Sequence, residues 1–177
     1  MKQKQIELLI YLLEDIRKVT LKGVSGITKE QLFQEPVKGE YSIGSYLMHL
    51  VECDLGWLRT LTGKEPDEEL KRRAYYAVWF DCPEEFAKPP KEPIEIDEYI
   101  DTITKCRAKL IEHIKTLTDE DLEGTVILHK NFLGEVVNKK YIRKWIITFL
   151  IQHEAHTRGQ MFMLMRMAGF KAKGENN

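Results

Sequence analysis

Apolar positions recur at three-to-four-residue spacing over four long stretches of the chain, and each stretch predicts one amphipathic helix. From about residue 3 to 22 the stripe is Ile6, Leu9, Leu13, Ile16 and Thr20, widened by Leu8, Leu12 and Val19. Gly23 and Gly26 break it, and Thr28-Lys29-Glu30-Gln31 has the capping-box spacing of a short helical turn that Pro36 and Gly39 end. Ser42 stands where the N-cap of a second long helix belongs, and Gly63 where its C-terminus belongs. The stripe between them is Ile43, Tyr46, Leu47, Leu50, Cys53, Asp54, Trp57 and Leu61. A third helix is predicted from about Asp97 to Leu117 on Ile100, Ile103, Leu110, Ile114 and Leu117, and Thr118-Asp119-Glu120-Asp121 caps another short turn. A fourth opens near Asn138 and reaches Ala168, where Gly169 ends it.

Two stretches depart from this pattern. Residues 64–95 begin acidic and helical, pass through Trp79-Phe80, and then collect Pro83, Pro89, Pro90 and Pro93, a density that forbids a continuous helix. A lid or side wall over the bundle is the expected role. Residues 125–137 are rich in β-formers around a turn near Lys130-Asn131, which predicts a small hairpin. Four long helices with one apolar stripe each bury those stripes against one another. The expected fold is therefore all-α, a four-helix bundle decorated by a hairpin and a loop-and-short-helix excursion. It forms one domain over residues 1–170, followed by a flexible tail, 171–177.

Composition narrows the function. The 27 basic and 28 acidic residues leave a net charge of −1, which argues against a nucleic-acid binder working through a basic face. No apolar run approaches the roughly 18 residues of a membrane span. The N-terminal pattern lacks the apolar core and cleavage site of a secretory signal. Three cysteines, an odd number without CxxC spacing, fit a reducing cytoplasm. The expected partner is a small-molecule substrate, with no nucleic acid and no membrane.

Candidate chemistry gathers on the second and fourth helices. At roughly 100° per residue, Ile146, His153, Gln160 and Leu164 point within about 20° of one another, which puts His153 mid-stripe. His156 lies about 60° to one side and Thr157 about 40° to the other, both on the core-facing half. An imidazole and a glutamine there cost about 1–3 kcal/mol each unless something satisfies them. His49, at the edge of its own stripe beside Ser45, Cys53 and Gly56, is placed to line a cavity between helices. Two histidines on facing helices can build a metal site, and neutral imidazole suits zinc, nickel, iron or copper alike. A hydrogen-bonded core role for His153 remains the alternative. Cys53, one turn after His49, offers either a thiolate ligand or a small buried hydrophobe. Glu154 and Arg158 have the spacing of a surface ion pair, while His113 and His129 are expected on ordinary surface. The run Met161, Met163, Met165, Met167 reads as core and interface filling.

The string His153-Glu154-Ala155-His156-Thr157-Arg158-Gly159-Gln160, running on to Met167-Ala168-Gly169, resembles the last bundle helix of the DinB/YfiT-like superfamily. Ser42-Ile43 through Tyr46-Leu47-Met48-His49-Leu50, with Asp54 and Trp57, resembles that family's second helix, and the Leu117-Thr118-Asp119-Glu120-Asp121-Leu122 turn fits as well. The resemblance implies a bundle that commonly forms a homodimer and holds a divalent metal, usually nickel or zinc, on three histidines. One comes from the second helix and two from the last at i and i+4. It also implies, as in some relatives, a transferase acting with a low-molecular-weight thiol such as bacillithiol, mycothiol or glutathione. Carried over, His49 and His153 are the first two ligands. The third falls on Thr157, a departure from the pattern, with His156 one residue earlier as the alternative.

Two functions follow. One is a metal-dependent thiol transferase or hydrolase, the metal on His49, His153 and His156, an open position under Trp79-Phe80, and Glu154, Arg158 and Gln160 fixing the ligands from behind. The other is a degenerate bundle without catalytic metal, serving as a small-ligand binder or dimeric scaffold.

Overall fold

A computed structural model describes residues 4–74, 90–130 and 135–170 of the 177-residue chain. Six α-helices and one hairpin follow in order: α1 Lys4–Val24, α2 Lys29–Phe33, α3 Ile43–Thr62, α4 Glu68–Arg73, α5 Ile96–Ile114, a 3-10 turn at Asp121–Glu123, β1 Thr125–Lys130, β2 Val136–Ile142 and α6 Arg143–Met167. The long helices α1, α3, α5 and α6 close into a bundle, with α3 against α5 and α6, and α1 against α6 and α5. The Trp79-Phe80 wall and the tail 171–177 fall outside the described residues. No described helix is long and apolar enough to cross a membrane.

Local chemistry sets the boundaries. The Thr28 hydroxyl accepts from Gln31 N at 3.3 Å while the Gln31 side chain accepts from Thr28 N at 3.0 Å, the reciprocal pair of a capping box. Ser42 accepts from Ser45 N at 3.2 Å to open α3, and Gly63 closes it at φ +67°, a left-handed conformation that costs an L side chain strain. Asp119, in the turn after α5, accepts from Gln5 N and Ile6 N at 3.2 and 3.0 Å, placing a carboxylate on the positive end of α1.

The last helix starts five residues later than its periodicity suggests. Lys139 to Ile142 pair instead with the first strand, in the register Thr125↔Ile142 through Leu128↔Lys139, and Arg143 N then donates to Gly124 O at 3.0 Å. Asn138, at φ +46°, sits where the ladder shifts register between Leu128 and Lys130.

The core has two apolar clusters. One includes Val24, Leu32, Leu47, Leu50, Ile103 and Met161, the other Leu13, Trp57, Leu61, Leu110, Ile146 and Leu150. On each long helix the two clusters meet around a charged residue: Arg17, Asp54, Arg107 and Glu154, each no more than 4% exposed.

Packing near the start of α3 is close enough to need a glycine. A Cβ on Gly44 would come within 2.6 Å of Tyr99 Oη and 2.8 Å of its Cζ, and Tyr99 is only 3% exposed. Gly44→Ala gains about 1 kcal/mol of helix propensity and loses about 1–3 kcal/mol to overpacking. The expected outcome is a net fall in the urea midpoint, and an unchanged or raised midpoint would show that Tyr99 relaxes freely.

Candidate metal centre

Two imidazoles meet where α3 and α6 face each other. His49 Nε2 and His153 Nε2 lie 3.2 Å apart, with ring centroids at 5.0 Å and the planes crossed at 61°. Cys53, one turn along α3 from His49, brings its Sγ to 4.0 Å from His49 Nε2 and 3.9 Å from His153 Nε2. Among the described residues these three donors form a group whose ligand atoms all lie within 4.8 Å of one another.

The electrostatics suit cation binding. Burial pushes the His49 pKa down to about 4, and burial together with the neighbouring His49 and His156 does the same for His153. Both rings are thus neutral with lone pairs available near pH 7. Two nitrogens on a tetrahedral zinc-like ion sit about 3.3 Å apart, and a nitrogen and a thiolate sulfur about 3.5 Å. The nitrogen pair matches that spacing, and the sulfur stands slightly wider. The residues present fit a divalent ion with nitrogen and sulfur ligands.

Behind His49 stands a residue that the periodicity conceals. Glu52 is 3% exposed, with Oε2 3.5 Å from His49 Nδ1, and burial pushes its pKa up to about 8. A carboxyl group so placed would orient the ring through Nδ1 if His49 held a metal. His153 is held from its other side by a ladder of rings running down α6 to the end of β2: Phe149 stacks on it at 5.4 Å, Trp145 on Phe149 at 5.2 Å and Tyr141, on the strand, on Trp145 at 4.9 Å. Trp57, 4% exposed, meets Tyr141, Trp145 and Phe149 edge-on.

Beneath the cluster lies the charged layer. Arg17 donates through Nε to Glu154 Oε1 at 2.9 Å, through Nη2 to Asp54 Oδ2 and Glu154 Oε2 at 3.1 Å each, and through Nη1 to Ile103 O at 3.0 Å. Arg107 donates through Nε to Asp54 Oδ2 at 3.0 Å and through Nη2 to Glu154 Oε2 at 2.7 Å. Thr20 Oγ1 adds a bond to Glu154 Oε1 at 2.8 Å. Burial would raise the Glu154 pKa, but Arg17 and Arg107 outweigh it and hold the carboxyl below its usual range. Two cations and two anions, one from each long helix, form a net-neutral lock.

The remaining site residues of the sequence pattern separate accordingly. His153 is half-buried rather than mid-stripe, because the buried stripe of α6 runs through Ile147, Leu150, Glu154, Thr157 and Met161. Glu154 is therefore not in a surface pair with Arg158, and its oxygens are occupied by Arg17, Arg107 and Thr20 rather than a ligand histidine. Arg158 Nη1 reaches Ile16 O at 3.4 Å. His156 and Gln160 are exposed, and the structure does not bring either to the cluster, whereas Thr157 is 2% exposed. His129 is exposed as expected, but His113 is half-buried. The missed signal was a charged residue at a buried-stripe position of every long helix, two of each sign.

Comparison with known proteins agrees with this architecture. The model of the DinB superfamily matches residues 12–161. A Bacillus subtilis strain 168 protein, Uncharacterized protein YrdA, is 27% identical over 157 residues, covering 88% of this chain and 78% of that protein. A crystal structure of a DinB-like protein from Bacillus cereus ATCC 10987 superposes with a TM-score of 0.62 over 91% of each chain at 23% identity, a likeness of fold.

Proposed function

The chain belongs to the DinB superfamily, and on that premise we propose that it is a metal-dependent enzyme, a thiol-dependent transferase or hydrolase, with its divalent ion on His49 and His153. The observation that carries the proposal is the pair of half-buried, neutral imidazoles from facing helices with Nε2 atoms 3.2 Å apart. Left without an ion or a shared proton, two desolvated nitrogen lone pairs at that distance are unfavourable. A bound ion turns them into ligands.

Each residue has a part in this reading. His49 and His153 hold the ion, which when bound lowers the pKa of a coordinated thiol or water so that a nucleophile forms near neutral pH. Glu52 orients His49 through Nδ1. Phe149, backed by Trp57 and stacked on Trp145, covers one face of the His153 ring and gives it a wall. The Arg17–Asp54–Arg107–Glu154 lock sets the rotation of α3 and α6, and so the distance between the imidazoles. Nickel or zinc, a low-molecular-weight thiol, a homodimer and a cytoplasmic setting belong to the same proposal.

Thr157, buried at the position where the family pattern has a third histidine, supports a second reading. In it the bundle has lost its catalytic metal and keeps a small-ligand or scaffold role. Elemental analysis of untagged protein purified without chelators separates the two. The enzyme reading expects close to one equivalent of nickel or zinc per chain, lost in His153→Ala. Protein that stays metal-free after soaking in both ions would favour the scaffold.

A further inference from the structure

We propose that Cys53, as a thiolate, supplies the third protein ligand of the centre, so that the paired ligands one turn apart lie on α3 rather than α6. This rests on the reading that an ion binds between His49 and His153. Three observations point to it. First, Cys53 Sγ is within 4.0 Å of both Nε2 atoms, while His156 is exposed and outside the group. Second, His49 and Cys53 are four residues apart on one helix, which stacks their side chains on the same face about 6 Å apart along the axis. Third, Thr157, buried on the facing helix one turn after His153, offers only a neutral hydroxyl, a poor ligand for zinc or nickel.

The chemistry follows from the donor set. When the ion enters, the Cys53 S–H bond breaks, its proton leaves to solvent and a sulfur–metal bond forms, with no change of oxidation state. Two neutral imidazoles and one thiolate reduce the formal charge of a divalent centre to +1 and make it soft. Such a site selects zinc, cobalt(II) or cadmium over magnesium, calcium or manganese. Three protein ligands on a tetrahedral ion leave one position open, the arrangement of a catalytic rather than a structural site. An exogenous thiol entering that position gives an N2S2 set.

Cobalt(II) reports sulfur ligation directly, through an intense near-ultraviolet thiolate-to-cobalt charge-transfer band. Anaerobic titration of the full chain is expected to show this band saturating at one cobalt per chain, with zinc displacing it and magnesium leaving it unchanged. Cys53→Ser is expected to abolish the band and to weaken cobalt binding by more than the roughly 10–100-fold that losing a partner behind a ligand costs. Cys106→Ser and Cys82→Ser are expected to retain the band, which ties it to Cys53 even if the Cys53 variant folds poorly. Stoichiometric cobalt without the band, or a band that survives Cys53→Ser, overturns the assignment of Cys53 and leaves the centre to other ligands. Wild-type protein that binds neither cobalt nor zinc overturns the underlying metal reading, and the assignment falls with it.

Discussion

Replacing Arg17 with methionine is expected to lower folding stability by about 3–5 kcal/mol, the range for removing one partner of a buried ion pair. The loss comes from what remains. The carboxyls of Asp54 and Glu154, each 1% exposed, are left with a single guanidinium, Arg107, between them, and Ile103 O loses the donor it had in Arg17. Methionine fills much of the arginine stem's volume, so the effect isolates charge from packing. Arg17→Lys is expected to fall between wild type and methionine, because one ammonium cannot span the acceptors that the planar guanidinium reaches. By contrast, removing the ion pair of Lys29 with Glu95, 2.6 Å apart but 41% and 65% exposed at its side chains, should leave stability almost unchanged, because solvent screens it. Urea denaturation of the three variants measures all of this. A loss below about 1 kcal/mol for Arg17→Met would mean that water or a carboxyl proton takes over the arginine's role.

Zinc is expected to produce an effect of similar size in the opposite direction. At a free concentration roughly 1,000 times its dissociation constant, a ligand that binds only the folded state adds about 4 kcal/mol. For a chain of this length that corresponds to a rise in melting temperature of about 8–16 °C. In His49→Ala the rise should vanish, while the melting temperature of the metal-free variant stays near wild type, since the alanine removes a desolvated polar ring as well as packing. Differential scanning calorimetry with and without zinc separates the two contributions. A wild-type melting temperature indifferent to saturating zinc and nickel would sink the metal reading.

Much of the fold is legible in the chain because its signals are local. The four stripes repeat every three to four residues, and Thr28, Ser42 and Gly63 carry their capping chemistry within one turn. Two kinds of feature escape that local reading. One is the boundary at 139–142: these residues have helix-compatible spacing, and only their pairing with Thr125–Leu128 makes them a strand. The other is the position of the buried stripe on α6. His153 and Glu154 are neighbours, and a hydropathy rule places the carboxylate outside. Its burial is permitted by Arg17, 137 positions away, and Arg107, 47 away, which no periodicity reveals. The histidines at 49 and 153 were legible as a pair, and Cys53 as one of two alternatives. Glu52 was not, because a lone glutamate on a helix gives no sign of facing a histidine ring.

The four-charge lock also constrains how such a chain can diverge. A lineage cannot exchange Arg17, Asp54, Arg107 and Glu154 one at a time without passing through an intermediate with a stranded buried charge, whereas exchanging all four for apolar residues of matching volume can be neutral. Single exchanges within the set are therefore expected to cost more than a concerted one. Because Asp54 follows Cys53 and Glu154 follows His153 directly in the chain, a charge stranded in the lock would also disturb the turns of α3 and α6 that carry those donors.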